Sequence, residues 1–277
     1  MYRARSYALT LILLTLCATV SRAQQQQQGQ PPVVRSSPAE RAAELPGASL
    51  RTQTAEEINN AGCLYMDARR YEKAIEQFKL AISLKPQLFD AHLNLGLVYG
   101  WSGRVVEAVA PLTEATRLNP SNAKAHFNLG LVYHHAGRTA EAIKSLERAV
   151  ALKPDYEGAH EQLGVIHDGA GNRAEALKHL REAARLNPAS ASALNNLGVA
   201  QARAKRYEEA AVSLRRAVEL QPDMVQAQYN LGTLYVSMKN KRAAIDVQLA
   251  LREIDPELGR KLFNEIHRDK ILSVGQK

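Results

Sequence analysis

From Ala55 onward, apolar and small residues recur with helical spacing, in segments separated by short polar turns. The run Ala91 to Tyr99, AHLNLGLVY, returns at residues 125–133 as AHFNLGLVY. At about 100° of turn per residue, residues 89–102 divide into two faces. Ala91, His92, Leu95, Gly96, Val98, Tyr99 and Ser102 fall on the side that would meet neighbouring helices. Asp90, Leu93, Asn94, Leu97, Gly100 and Trp101 fall on the opposite side. The Asn inside this apolar run therefore belongs to a second face and not to the core.

The pattern is periodic as well as helical. Gly stands at 62, 96, 130, 164, 198 and 232, and Pro at 86, 120, 154, 188, 222 and 256. Ala74, Ala108, Ala142, Ala176, Ala210 and Ala244 hold a third register with the same period, 34 residues. Tyr65, Tyr99, Tyr133 and Tyr235 hold a fourth, with His167 and Gln201 in the remaining two units. Small residues at fixed points let paired helices approach closely, which outweighs the helix cost of about 1 kcal/mol per Gly. Each Pro ends one unit and sets the angle into the next, and the Leu at 84, 118, 152, 186 and 220 is expected to fill the space under that turn.

These registers resemble the tetratricopeptide repeat, a helix-turn-helix unit with small residues, Tyr and a closing Pro at these spacings. The resemblance implies an all-α chain: a right-handed α-solenoid whose first helices line a concave surface. The repeats run 55–88, 89–122, 123–156, 157–190, 191–224 and 225–256. The sixth departs from the pattern, with Gln248 where earlier units have Phe or Leu. Stacked repeats need covered ends, and residues 257–277 are read as a capping helix and tail. Asp255 suits the cap, Pro256 the first helical position, and Leu258, Leu262, Phe263 and Ile266 form one stripe.

The N-terminus changes where this array is expected to work. Arg3 and Arg5 precede an apolar run from Ala8 to Val20, and Ser21-Arg22-Ala23 follows. Residues 1–23 are thus expected to be a secretory signal peptide cleaved after Ala23, because the run is short of the roughly 20 residues that span a bilayer. Residues 24–54, beginning QQQQQGQPPVV, carry few large apolar groups and read as a disordered Gln/Pro-rich linker. The protein is expected to be exported, periplasmic or extracellular, a bacterial setting being preferred to the eukaryotic secretory route, with no stable membrane span after cleavage.

Removing Arg3, Arg5 and Arg22 lowers the net charge from +8 to +5. The charges of the array itself nearly balance, so no nucleic-acid partner is expected. Of two cysteines only Cys63 would remain, which excludes an intramolecular disulfide.

The candidate site is the second face. Its offset, carried down the array, falls on Asn60, Asn94, Asn128, Gln162, Asn196 and Asn230. Each is a primary carboxamide, able to pair with both the N–H and the C=O of an extended backbone. The row is similar to the asparagine ladder of the repeat domain in the enzyme that attaches N-acetylglucosamine to proteins. Leu93, Leu97, Trp101, Phe127, Leu131 and His135, with His134 adjoining, are expected to form an apolar and aromatic patch beside it. His92, His126 and His160 recur once per unit, about one helix diameter apart and too far for shared zinc ligation; they read as packing residues.

No metal, cofactor or catalytic constellation is expected, and the chain is not read as an enzyme. A clamp for a free C-terminal carboxylate, as in chaperone-binding members of the family, is matched at Asn94 and Lys124 but not at Asn59, Cys63 or Asn128. The expected function is an exported scaffold binding an extended peptide or protein segment. The alternative is a targeting or assembly subunit in a larger complex, serving a glycosyltransferase or cell-envelope machinery.

Overall fold

The computed structural model describes residues 53–267. The expected signal peptide, all but the last two residues of the linker, and the tail after His267 lie outside the described residues. Those described form 13 helices and no strand, in two compact units that divide between Leu152 and Lys153.

The first unit holds α1 (Ala55–Asp67), α2 (Tyr71–Leu84), α3 (Phe89–Trp101), α4 (Val105–Leu118), α5 (Ala123–His135) and α6 (Thr139–Leu152). Successive helices pack as antiparallel pairs, and each second helix then meets the first helix of the next pair. The opening helix has a complete capping box. Thr54 Oγ1 accepts from the Glu57 N–H, and the Glu57 carboxylate accepts from the Thr54 N–H. The pairs close where sequence spacing demands it: a methyl group on Gly96 would stand 2.4 Å from Leu112 Cγ.

The second unit holds α7 (Glu157–Gly169), α8 (Arg173–Leu186), α9 (Ala191–Arg203), α10 (Tyr207–Leu220), α11 (Val225–Ser237), α12 (Lys241–Ile254) and α13 (Pro256–Ile266). Ser190 and Asn240 accept N–H bonds at the starts of α9 and α12. Asp255 accepts two at the start of α13, from Glu257 and Leu258.

The last pair departs from the others. In the first five repeats the helix-crossing Gly is met by the residue sixteen places on, Phe78, Leu112, Leu146, Leu180 and Leu214. That place in the sixth is Gln248, and Gly232 is met by Leu262 of α13 instead. Gln248, buried, donates its Nε2–H to the Gly259 carbonyl. Gly259 lies so close to α12 that a Cβ would sit 2.6 Å from Arg252 Cα. The closing helix therefore supplies the missing apolar knob of the sixth crossing.

Each turn inside a repeat carries one left-handed residue: Arg69, Gly103, Gly137, Gly171, Lys205 and Lys239. The N–H of the next residue returns to the carbonyl at the Tyr register, as from Arg104 to Tyr99. Its side chain often covers the same ring, with Arg104 Cζ 4.8 Å and Arg138 Cζ 4.4 Å from the Tyr99 and Tyr133 centroids. Between repeats, His92, His126, His160 and Gln228 each donate a side-chain N–H to the carbonyl of the Pro six residues earlier. The recurring histidines thus tie down the Pro turn. One expectation fails here: Leu84 is 56% exposed, because Ala81, Leu88, Ile58 and Ala91 already fill the space beneath that turn.

Candidate binding face of the first helices

The carboxamide row lies on the first helix of every pair, and burial differs along it. Asn60 is exposed, Asn94, Gln162, Asn196 and Asn230 are partly buried, and Asn128 is buried. In the first unit, Asn94 Nδ2 donates to Asn59 Oδ1 at 3.1 Å and lies 3.3 Å from Cys63 Sγ. Asn128 Nδ2 turns back to the Lys124 carbonyl of its own helix at 2.7 Å. In the second unit, Asn196 Nδ2 donates to Glu161 Oε1 at 2.7 Å, and Asn230 Nδ2 to Asn195 Oδ1 at 2.8 Å.

The residue just before the carboxamide in the preceding repeat decides between these outcomes. Where it is polar, as at Asn59, Glu161 and Asn195, it receives the next amide 35 residues on. Leu93 holds that place ahead of Asn128 and has no acceptor to offer, so Asn128 satisfies itself on its own helix. The series ends on α13, where the Tyr229 hydroxyl donates to Glu265 at 2.7 Å. Each partner was visible in the sequence as the neighbour of a row residue, but only the stacking shows that the two registers meet.

The apolar patch is corrected. Leu93, Leu97 and Leu131 are each 7% exposed and Phe127 1% exposed, so they are packing and not an open anchor. Leu93 and Leu97 join the core of the first unit, against which Trp101 packs partly buried. First helices pack closely enough for aliphatic groups at these positions to close over one another. His135 remains exposed and His134 partly so. A cavity of about 20 Å³ remains between Leu97, Gly100, Asn128, Leu131 and His135. Gly100 has open space where its Cβ would be, and the buried Trp101 Nε1–H finds no acceptor among the described residues.

The second unit has a different electrostatic character on this face. Glu161, buried, accepts from both Ser192 Oγ at 2.5 Å and Asn196. Burial and the neighbouring Glu157 push its carboxyl pKa up, while the two hydrogen bonds oppose that rise. Asp168 pairs with Arg203 of the next repeat. Cys63, on the first unit's face, has its thiol raised to about 12 by burial and by the carboxylates of Asp67 and Asp90, which disfavours the thiolate. No cluster of three or more metal-ligating side chains able to hold an ion occurs among the described residues, nor is any helix there long and apolar enough to cross a membrane.

Family models for the tetratricopeptide repeat match residues 102–157 and 162–217, and another matches 225–258. A further TPR repeat model matches 62–101 and 203–239, so the matches together span most of the chain. The chain is a tetratricopeptide repeat protein. No curated protein sequence matches it. Among solved structures, this repeat protein is similar to PilW, described as a widely conserved type IV pilus biogenesis factor. They share 18% identity over 77% of this chain and all of that one, with a TM-score of 0.68. It is similar to YrrB, a TPR protein with an unusual peptide-binding site, at 23% identity over 71% of this chain and 99% of the other, TM-score 0.59. A chain of the APC/C hetero-tetramer Cut9–Hcn1 aligns at 21% identity over 77% of this chain, TM-score 0.65. The repeat protein spans 42% of that chain's length. At these identities the likeness is one of fold: an all-α tetratricopeptide scaffold of the kind that serves protein–protein interaction, in general without catalysis of its own.

Proposed function

We propose that this tetratricopeptide repeat protein is an exported, non-enzymatic scaffold that holds an extended protein segment along the first helices of its repeats. The observation that carries the reading is the unbroken carboxamide row, Asn60, Asn94, Asn128, Gln162, Asn196 and Asn230. Five of these six residues are at least partly accessible, and beyond the one N–H that Asn94, Asn196 and Asn230 each give to a neighbouring repeat, every amide has a second N–H and a second carbonyl lone pair for a peptide backbone. Held this way, a ligand would be read by its extended shape more than by its side chains. The likeness in fold to a protein described as having a peptide-binding site is consistent with this use. Export rests on the basic and apolar leader of residues 1–23.

The test is fluorescence anisotropy with labelled unstructured peptides of varied sequence, against a cross-linked helical peptide as control. The extended probes should bind and the helical one should not. Combined Asn94→Ala, Asn196→Ala and Asn230→Ala should weaken binding about tenfold or more, since each lost backbone bond is worth about 0.5–1.5 kcal/mol, while the circular dichroism spectrum stays helical. Equal affinities for variant and wild type would remove the ladder from the mechanism. The alternative, a targeting or assembly subunit of a separate enzyme complex, is favoured if an enzyme copurifies at one-to-one stoichiometry from the native host.

A further inference from the structure

Three histidines meet in the fourth repeat. His160 and His167 on α7 are 7% and 8% exposed, and His179 on α8 contacts both rings. The His160 and His179 ring centroids are 5.2 Å apart, and His167 stacks on His179 at 6.0 Å with the rings 7° from parallel.

Their hydrogen bonds determine where each proton sits. His160 Nε2 is 3.0 Å from the Pro154 carbonyl, which can only accept, so Nε2 carries the hydrogen. In a neutral ring Nδ1 of His160 is then an acceptor. That atom is 3.0 Å from His179 Nδ1, so His179 donates from Nδ1 and leaves Nε2 bare. His167 Nδ1 accepts from the Asn172 amide at 3.4 Å. These contacts are all made at once by neutral imidazoles in one set of tautomers.

An added proton does not fit every ring equally. On His160 it would go to Nδ1, 3.0 Å from His179 Nδ1, and would fit only if His179 moved its own hydrogen to Nε2. On His179 it would go to Nε2, 3.8 Å from Glu175 Oε2, keeping the bond to His160 but placing a charge in a buried cluster. Glu175 is already engaged by Lys178 at 2.9 Å. The groups facing His179 are therefore His160 and His167 from α7, with Lys178 opposing its charge and Glu175 favouring it from α8; Glu182, on α8, senses His160. From α9, which packs on α8, no charged group acts on His179 among the described residues.

We propose that this cluster makes the fourth repeat an acid-sensitive element, intact at neutral pH and loosened by protonation as pH falls below about 6. The same helix α7 carries Glu161 and Asp168, whose bonds to Asn196 and Arg203 join the fourth and fifth repeats. Acid would loosen the carboxamide row where it is most extensively cross-linked. That consequence for a ligand rests on the function proposed above; the loss of local stability does not.

The sign follows from linkage. Burial first, and then His160, Lys178 and His167, pull the pKa of His179 down from 6.5 to about 4. The unfolded repeat takes up the proton at higher pH than the folded one, so stability is full above 6.5 and is lost between 6.5 and about 4.

The experiment is amide hydrogen exchange on the full chain at pH 7.5 and 5.0, corrected for intrinsic rates. Protection of α7 and α8 should fall by about thirtyfold at the lower pH, the linkage of one such group, and that of α3 and α4 much less. His179→Asn, which keeps a donor near Nδ1 and cannot be protonated, should cut the fall to less than about threefold. Unchanged protection in the wild type, or an undiminished fall in the variant, overturns the proposal. Should the variant not fold, nitrogen-15 imidazole spectra of the wild type at pH 6 decide instead. Fixed neutral tautomers, Nε2–H on His160 and Nδ1–H on His179, support it, and a charged or averaging His179 overturns it. Peptide anisotropy at both pH values reads the ligand consequence separately.

Discussion

The two units share one frame of Gly, Ala and Pro registers, yet their first-helix faces are built from different chemistry. Ahead of each carboxamide, the first unit has Asn59, Leu93 and Phe127, whereas the second has Glu161, Asn195 and Tyr229. In the first unit the one such bond, Asn94 to Asn59, is not continued: Leu93, Leu97 and Leu131 are buried and Asn128 bonds within its own helix. In the second, polar bonds run from repeat to repeat and onto α13. The backbone geometry of a repeat does not dictate how neighbours are joined on this face. One side chain per repeat does.

The largest test of this contrast concerns the end of the second unit, where α13 must complete the array. Leu262→Ala removes a fully buried side chain facing Gly232. It should cost about 2–5 kcal/mol, read as a lower urea midpoint and early loss of exchange protection in α11 to α13. If only α13 frays while α11 and α12 keep their protection, the closing helix is an appendage and not part of the sixth crossing.

A smaller effect is expected at the cross-repeat bonds themselves. Asn195→Ala strands the Asn230 amide and should cost about 1–2 kcal/mol. Asn59→Ala, in the first unit, should cost less, because Asn94 also reaches Cys63. Chemical denaturation of both variants checks the order, and equal costs would dissolve the distinction between the units.

The smallest effect should be a gain. Gly100→Ala places a methyl in open space beside the cavity of the first unit and replaces a poor helix former. It should stabilise by about 0.5–1 kcal/mol, a rise of a few degrees in Tm, or less if unfolding proceeds in parts. A fall in Tm would mean that the space at Gly100 is required by the packing.

Much of this was legible in the sequence because repetition multiplies weak signals. A lone Gly in a helix is ambiguous, but Gly at six equivalent places, each sixteen residues before a Phe or Leu except in the last unit, defines a crossing. The left-handed register was less legible. Gly marks it at 103, 137 and 171, but Arg69, Lys205 and Lys239 adopt the same conformation because the returning N–H bond holds them there. The apolar patch misled for a related reason: helical periodicity separates two faces of α3, but it cannot say that Leu93 and Leu97 on the second face are also covered.

By itself, then, the sequence determined the elements, their 34-residue period and the row of carboxamides, since these follow from spacing along one chain. The tertiary structure alone decided which amide meets Asn59, Glu161 or Asn195, how three histidines of one repeat come to share a proton arrangement, and that Leu262 stands in for the leucine absent at Gln248. Those pairings depend on distances between helices, and such distances are set by how whole side chains pack, which no periodicity within a helix encodes.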